Sequence, residues 1–218
     1  MYKRVGSSRG FTMIELLFAM SFVSVLLIII LTATIGITRI YNKGITLKQV
    51  NQSGAAIGSE LEASMASASA PLGTSAVDKG RLCLGTYSYV WNTPTVAPQN
   101  TLSDGTAIGM VKVTDTAQKM CAAPFPKPQP ANDPHELILG AGSSNGGVGL
   151  ILRSFTVDNP VTAGADYLYH VAFTISTNDG SLIASDGSAC KGGASDEFCA
   201  LNAFDFTVFV KHGGDGSV

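Results

Sequence analysis

The sequence predicts an α+β protein: a long N-terminal α-helix, transmembrane in its first half, packed through its second half against an antiparallel β-sheet head. Three observations predict it. Leu16–Ile37 is a continuous apolar run. Val50, Gly54, Ile57, Leu61, Met65 and Ala68 then recur three or four residues apart, the spacing of one helix face. After Pro71, the first proline in the chain, β-branched and aromatic runs alternate with turn residues.

Composition narrows the function classes. Of 218 residues, 45% are hydrophobic and 14% charged, against a usual charged fraction of ~25%. A disordered chain would be charge-rich and poor in apolar residues. The formal net charge of -2 lacks the basic excess of a nucleic-acid binder. The stretch from Pro71 onward holds 8 basic and 13 acidic residues, so no nucleic-acid partner is expected.

No charged residue lies between Glu15 and Arg39, and only Ser21, Ser24, Thr32, Thr34 and Gly36 relieve the apolar run. As a helix, Leu16–Ile37 would be ~33 Å long at 1.5 Å per residue, enough for a hydrocarbon core of ~30 Å. Before it, Met1–Gly10 carries Lys3, Arg4 and Arg9 and no acid. A secretory signal peptide also begins on a basic segment, but its apolar core is shorter and a small-residue cleavage site follows. No such site follows Ile37. Lys3, Arg4 and Arg9 on one side balance Arg39, Lys43 and Lys48 on the other, so positive charge leaves the orientation open.

Glu15 stands at the edge of the span, where an acid is costly and usually functional. Around it the order is Arg9-Gly10-Phe11-Thr12-Met13-Ile14-Glu15-Leu16-Leu17. This segment resembles the N-terminal signature of type IV prepilins and type II secretion pseudopilins, with Met13 where leucine is commoner. The resemblance covers roughly the first 40–70 residues. It implies a leader, 1–10, removed by a prepilin peptidase between Gly10 and Phe11, with N-methylation of the new terminus at Phe11. It implies that Glu15 sets register during assembly by pairing with the cationic amine at Phe11 of its own or a neighbouring subunit. Low dielectric strengthens that attraction. The alternative for Glu15 is snorkelling to the headgroups.

The implied organisation is 11–38 as the transmembrane half of the helix, 39–70 as its amphipathic half, and 71–218 as an extracytoplasmic β-rich head. Phe11–Ala70 as one helix would reach ~90 Å. The implied partners are other pilin or pseudopilin subunits through the N-terminal helix, the prepilin peptidase and the membrane. The chain would be stored in the cytoplasmic membrane and then built into a surface filament, with no cofactor and no enzymatic activity. Many major pilins carry a proline in the membrane half, whereas this chain has none between Gly10 and Pro71. That favours a minor pilin or pseudopilin.

In the head, Arg81–Trp91, Ala107–Thr114, His135–Gly140, Gly147–Val157, Tyr167–Ser176 and Phe204–Lys211 read as strands, giving a sheet of about four to six. Asn178-Asp179-Gly180 and Ser185-Asp186-Gly187 read as turns. Pro124 to Pro134 holds five of the nine prolines and predicts a stiff, exposed loop. Cys83, Cys121, Cys190 and Cys199 all lie in the head and allow three pairings. No Cys-x-x-Cys occurs and His135, His170 and His212 are scattered, so two disulfides outside the cytoplasm are expected rather than zinc. Sequence neighbours close most easily, which favours Cys83 with Cys121 and Cys190 with Cys199.

Two motifs look chemical. Gly142-Ser143-Ser144-Asn145-Gly146 fits a nucleophile elbow, but a strand rather than a helix is expected after it. Asp179, Asp186, Asp196 and Glu197 form an acidic stretch whose spacing matches no EF-hand, so turn formation is expected there and no metal. Outside the filament reading, the alternatives are a signal-anchored adhesin or ligand-binding domain that does not polymerise, or a hydrolase resting on Ser144 alone.

Overall fold

The computed structural model describes residues 10–68, 72, 74–94, 100–129, 133–140, 149–163, 166–178, 181–184, 187, 189–193 and 196–211. Its class is α+β, with one long apolar N-terminal helix and antiparallel sheets. Helix α1 runs Met13–Ser67, 55 residues. It begins two residues later than Phe11 because Thr12 takes the capping position; residues 69–71 lie outside the described set. The chain divides into two compact units, Met1–Asn42 and Lys43–Val218.

In the first unit every described residue through Tyr41 is exposed. In the second, the face predicted by the apolar stripe is the buried one. Val50, Gly54, Ile57, Leu61 and Met65 are buried, joined by Thr46 and Ser64.

Among the described residues seven strands form two sheets, not one. The first sheet has the order β1 (Arg81–Cys83), β2 (Tyr87–Trp91), β3 (Ile108–Thr114), β4 (His135–Gly140); the second has β5 (Leu150–Ala163), β6 (Asp166–Thr177), β7 (Leu201–Lys211). Every pairing is antiparallel. The sheets share a core rather than a ladder: Trp91, Met110 and Leu139 of the first pack with Leu152, Phe155 and Phe173 of the second.

Arg81–Trp91 is a hairpin rather than one strand. Gly85 turns the chain at φ +88°, a conformation that glycine adopts freely, and the Leu84 amide donates to the Tyr87 carbonyl at 2.8 Å. Strand β5 runs six residues past Val157, through Pro160. An edge strand tolerates that proline, and the ladder breaks register there between Asp158 and Val161.

Aromatic rings bind the layers together. Trp91 lies 4.3 Å from Phe155, Phe155 6.1 Å from Phe173, and Phe173 5.2 Å from Phe204. The Phe204 ring fills the space over Gly54, where an added Cβ would lie 2.0 Å from it. Helix and second sheet therefore meet at the one residue type without a side chain. The opposite face of the first sheet is also covered, by a smaller cluster that includes Cys83, Val90, Leu102, Val111, Val113 and Met120.

Candidate functional site

The first candidate site is the N-terminal end of α1. The Thr12 amide and hydroxyl donate to Glu15 Oε2 at 3.3 and 3.2 Å. The Glu15 amide donates back to Thr12 Oγ1 at 3.3 Å. This is a capping box, in which two side chains satisfy helix-end amides reciprocally. Glu15 thus has a local partner that neither assembly nor snorkelling invoked. The signal was present as Thr12-x-x-Glu15. Gly10 has no comparable structural reason: a Cβ there meets nothing within 4 Å, and its φ is outside the glycine-favouring region. The rest of the expected leader, 1–9, lies outside the described residues.

Along the apolar run every hydroxyl turns back onto the helix. Ser21 donates to the Phe18 carbonyl at 2.9 Å and Ser24 to Met20 at 2.8 Å. Thr32 donates to Ile29 at 2.9 Å and Thr34 to Ile30 at 2.8 Å. In hydrocarbon no water can satisfy such groups, and return to the preceding turn is how Ser and Thr are accommodated. The helix is long and apolar enough to cross a membrane.

The second candidate site is where α1 enters the Lys43–Val218 unit. Two disulfides join Cys83 to Cys121 and Cys190 to Cys199. The second closes the chain at the 3-10 turn Asp196–Phe198. Lys43 Nζ donates to the carbonyls of Asp196 and Cys199 at 2.8 and 2.7 Å and meets Asp196 Oδ1 at 3.1 Å. Thr46 Oγ1 donates to the Glu197 carbonyl at 3.2 Å. The turn is therefore fastened to the helix by one ammonium and one hydroxyl, and the Asp196 carboxylate already has a cation.

Other charged groups in the head serve the fold. Arg81 is buried and donates to the carbonyls of Met120, Pro126 and Phe125 and to Asn100 Oδ1, at 2.8–3.2 Å. Burial lowers its guanidinium value, and carbonyl oxygens rather than a carboxylate solvate it. Through these bonds it holds the first part of the proline-rich segment against β1. The Tyr89 hydroxyl lies 2.7 Å from Ser64 Oγ and 3.2 Å from Glu60 Oε1. Lys112 hydrogen-bonds the same Glu60 oxygen and holds that carboxyl below its usual range, while burial pushes the Tyr89 phenol up. On the exposed face of the second sheet, His170 sits between Asp205 at 3.2 Å and Asp158 at 3.3 Å. Their hydrogen bonds raise its imidazole value.

A cavity of ≈ 300 Å³ opens beside the two sheets, lined in part by Asn92, Thr93, Ile108, Ile151, Leu152 and Asn178. Its lining carries no charged side chain. Among the described residues no group of His, Cys, Asp and Glu could hold a metal ion. Ser144, with Gly142–Gly146 around it, lies outside the described residues, as do Asp179 and Asp186.

No known family model, curated protein or solved structure matches the chain. The reading of the site therefore stands on its residues and geometry. Sequence reasoning named Gly10, Phe11, Glu15 and the four cysteines but missed Thr12, Lys43 and Arg81. Thr12 was legible as half of a capping box. Lys43 and Arg81 had no local signal, because their partners, mostly main-chain oxygens, lie far away in sequence.

Proposed function

We propose that the chain is a minor pilin or pseudopilin, a structural subunit of a type IV pilus or type II secretion-like filament. The observation that carries the reading is the coincidence of three features at one helix end with a fourth farther along the chain. A glycine unexplained by the fold precedes Phe11, Glu15 stands four residues beyond Phe11, an exposed apolar run follows, and a disulfide-bonded β-rich head comes later in the chain.

In this reading the apolar run stores the subunit in the cytoplasmic membrane with the head outside. A prepilin peptidase cuts after Gly10, where a missing side chain gives easy access to the peptide bond. Cleavage leaves a cationic amine at Phe11, and methylation keeps it cationic. Glu15 then exchanges its capping contacts for that amine or a neighbour's as apolar helices bundle, which fixes the axial register of subunits. The absence of proline between Gly10 and Pro71 supports a minor or pseudopilin role. The two disulfides suit a head that matures outside the cytoplasm.

Mass spectrometry of the protein from its native host tests this reading. The expected chain begins at N-methylated Phe11. An N-terminus that is intact, or cut elsewhere, removes the filament reading and leaves a signal-anchored domain.

A further inference from the structure

The edge of a β-sheet presents unpaired N–H and C=O groups, and proteins blunt it with a short strand, proline, breaks in register or charge. Among the described residues the two sheets have four edges, and three carry such devices. Strand β1 has only three residues. Strand β4 has six, includes His135 and Glu136, and pairs with β3 through two register shifts. Strand β5 contains Pro160 and pairs with β6 through two register shifts. Strand β7 is different. It runs eleven residues, pairs with β6 in unbroken register, and has one charged residue, Asp205, before its last position.

The pairing with β6 decides which backbone groups of β7 are left over. In an antiparallel pair, opposed residues alternate between exchanging both hydrogen bonds and exchanging none. The Thr177 amide donates to the Ala200 carbonyl at 3.0 Å, and the register continues in step from Ser176–Leu201 to Asp166–Lys211. Even-numbered residues of β7 therefore bond β6, while Ala203, Asp205, Thr207 and Phe209 turn their N–H and C=O groups outward. Among the described residues no hydrogen bond reaches those groups. The same four residues are exposed. Phe209, 49% exposed, stands opposite Leu168, 46% exposed, so an apolar pair flanks the open edge.

We propose that the open edge of β7 pairs antiparallel with β7 of a second copy of this chain. The strand is complementary to itself in one register. Hydrogen bonding requires odd-numbered residues to face odd-numbered ones. A two-fold axis through Val208 satisfies this and sets position 205 opposite position 211, an aspartate opposite a lysine in the sequence, at both ends of the pairing. Opposite charges across paired strands stabilise and like charges destabilise. Asp205 lies 3.2 Å from His170, yet its side chain is 77% exposed and open to a further cation. The same register sets Phe209 opposite Thr207 of the second copy, with the two Phe209 rings as diagonal neighbours. Every residue invoked lies in the Lys43–Val218 unit, and the pairing holds whether or not the chain enters a filament.

Spin labels on the full chain in detergent test the pairing. The four native cysteines are disulfide-bonded, so Thr207→Cys adds a single free thiol. In the proposed register the two labelled backbones lie about 9 Å apart, from about 5.5 Å across the pair and two steps of about 3.4 Å along the strand. The expected result is strong dipolar broadening that disappears on dilution with excess unlabelled protein. Ser154→Cys, exposed on β5 at the far side of the sheet, should show none, because the paired edges hold those sites more than roughly 30 Å apart. Phe209→Cys is the second probe, with the same expected separation as Thr207→Cys. Adding Thr207→Pro to it removes an N–H that β6 does not use, at a position where an edge strand accepts proline. That double variant should keep the far-ultraviolet circular dichroism of the parent and lose the broadening. Sharp spectra at both positions overturn the proposal and assign the edge to an extended segment of another protein or to none. Equal broadening at Ser154 overturns it as well, since the copies then associate through other surfaces such as the apolar helix. So does broadening that survives Thr207→Pro.

Discussion

Glu15 caps the helix start, and the proposed filament reading gives it a second role that a substitution can separate from the first. As the last residue of a capping box it can be replaced by glutamine, which also reaches back to the capping amide. As a charge partner for the Phe11 amine it cannot. Glu15→Gln is therefore expected to keep the helix start yet lower filament incorporation as much as Glu15→Ala, with cleavage spared in both. Filament yield, set against the fraction of cleaved protein, reads the result; normal assembly of the glutamine variant would mean that capping is all Glu15 does. Two glycines are constrained by space rather than by φ. A Cβ at Gly109 would lie 2.4 Å from the Gly140 carbonyl oxygen and 2.7 Å from that of Leu139, both backbone atoms that cannot step aside. At Gly54 the obstacle is the Phe204 ring, which can tilt at the expense of its stack on Phe173. Gly109→Ala should cost more than Gly54→Ala, and each about 1–3 kcal/mol or more, as read from urea unfolding of the full chain in detergent.

At the scale of elements, α1 makes different bonds to different partners. Apolar burial through Val50, Ile57, Leu61 and Met65 joins it to the common core. The Ser64–Tyr89 and Glu60–Lys112 contacts add directional bonds to the first sheet. Lys43 and Thr46 fix it to the C-terminal turn. Because Lys43 makes hydrogen bonds from a charged donor at a partly buried position, Lys43→Met should destabilise the chain by about 1.5–3 kcal/mol. It should also raise amide exchange selectively in Asp196–Cys199, leaving β6 and β7 protected. Hydrogen exchange by mass spectrometry checks this, and uniform loss of protection would show that the clamp is a general stability element instead. The strands of the first sheet were legible from β-branched and aromatic enrichment rather than from alternation. Strand β2 is buried on both faces, Ser88 to Trp91 without a break, so the alternation that marks a half-exposed strand is missing. In β7 one face is wetter than the other, and Phe204, Phe206, Val208 and Val210 alternate with Asp205, Thr207 and Phe209 in the sequence as in the fold.

For the molecule as a whole, two charge contacts make stability depend on pH. His170 has a raised folded value, so its contribution is complete below the ordinary value of 6.5 and is lost as pH rises through the folded one. Glu60 has a lowered folded value, so its contribution is complete above 4.5 and is lost as pH falls through the folded one. Both groups are substantially exposed, with side-chain exposures of 43% and 38%, and solvent screens them. The expected profile of thermal midpoint against pH is thus a shallow plateau between 4.5 and 6.5. His170→Gln should flatten the alkaline shoulder and Lys112→Met the acidic one, each without moving the other. A His170→Gln profile that matches the wild type would exclude the Asp158–His170–Asp205 contacts as a source of stability.

The sequence by itself determined whatever depends on local periodicity and composition. The apolar run, the buried stripe of α1, the β character after Pro71 and the segment around Glu15 could all be read because each is a pattern within a few helical turns or one strand. Only the tertiary structure decided the rest. It split the strands into two sheets because their apolar faces meet in one core instead of extending one ladder. It placed Phe204 in the notch left by Gly54. It gave the cations Lys43 and Arg81 to main-chain carbonyls, which every residue has and which therefore leave no mark in a sequence.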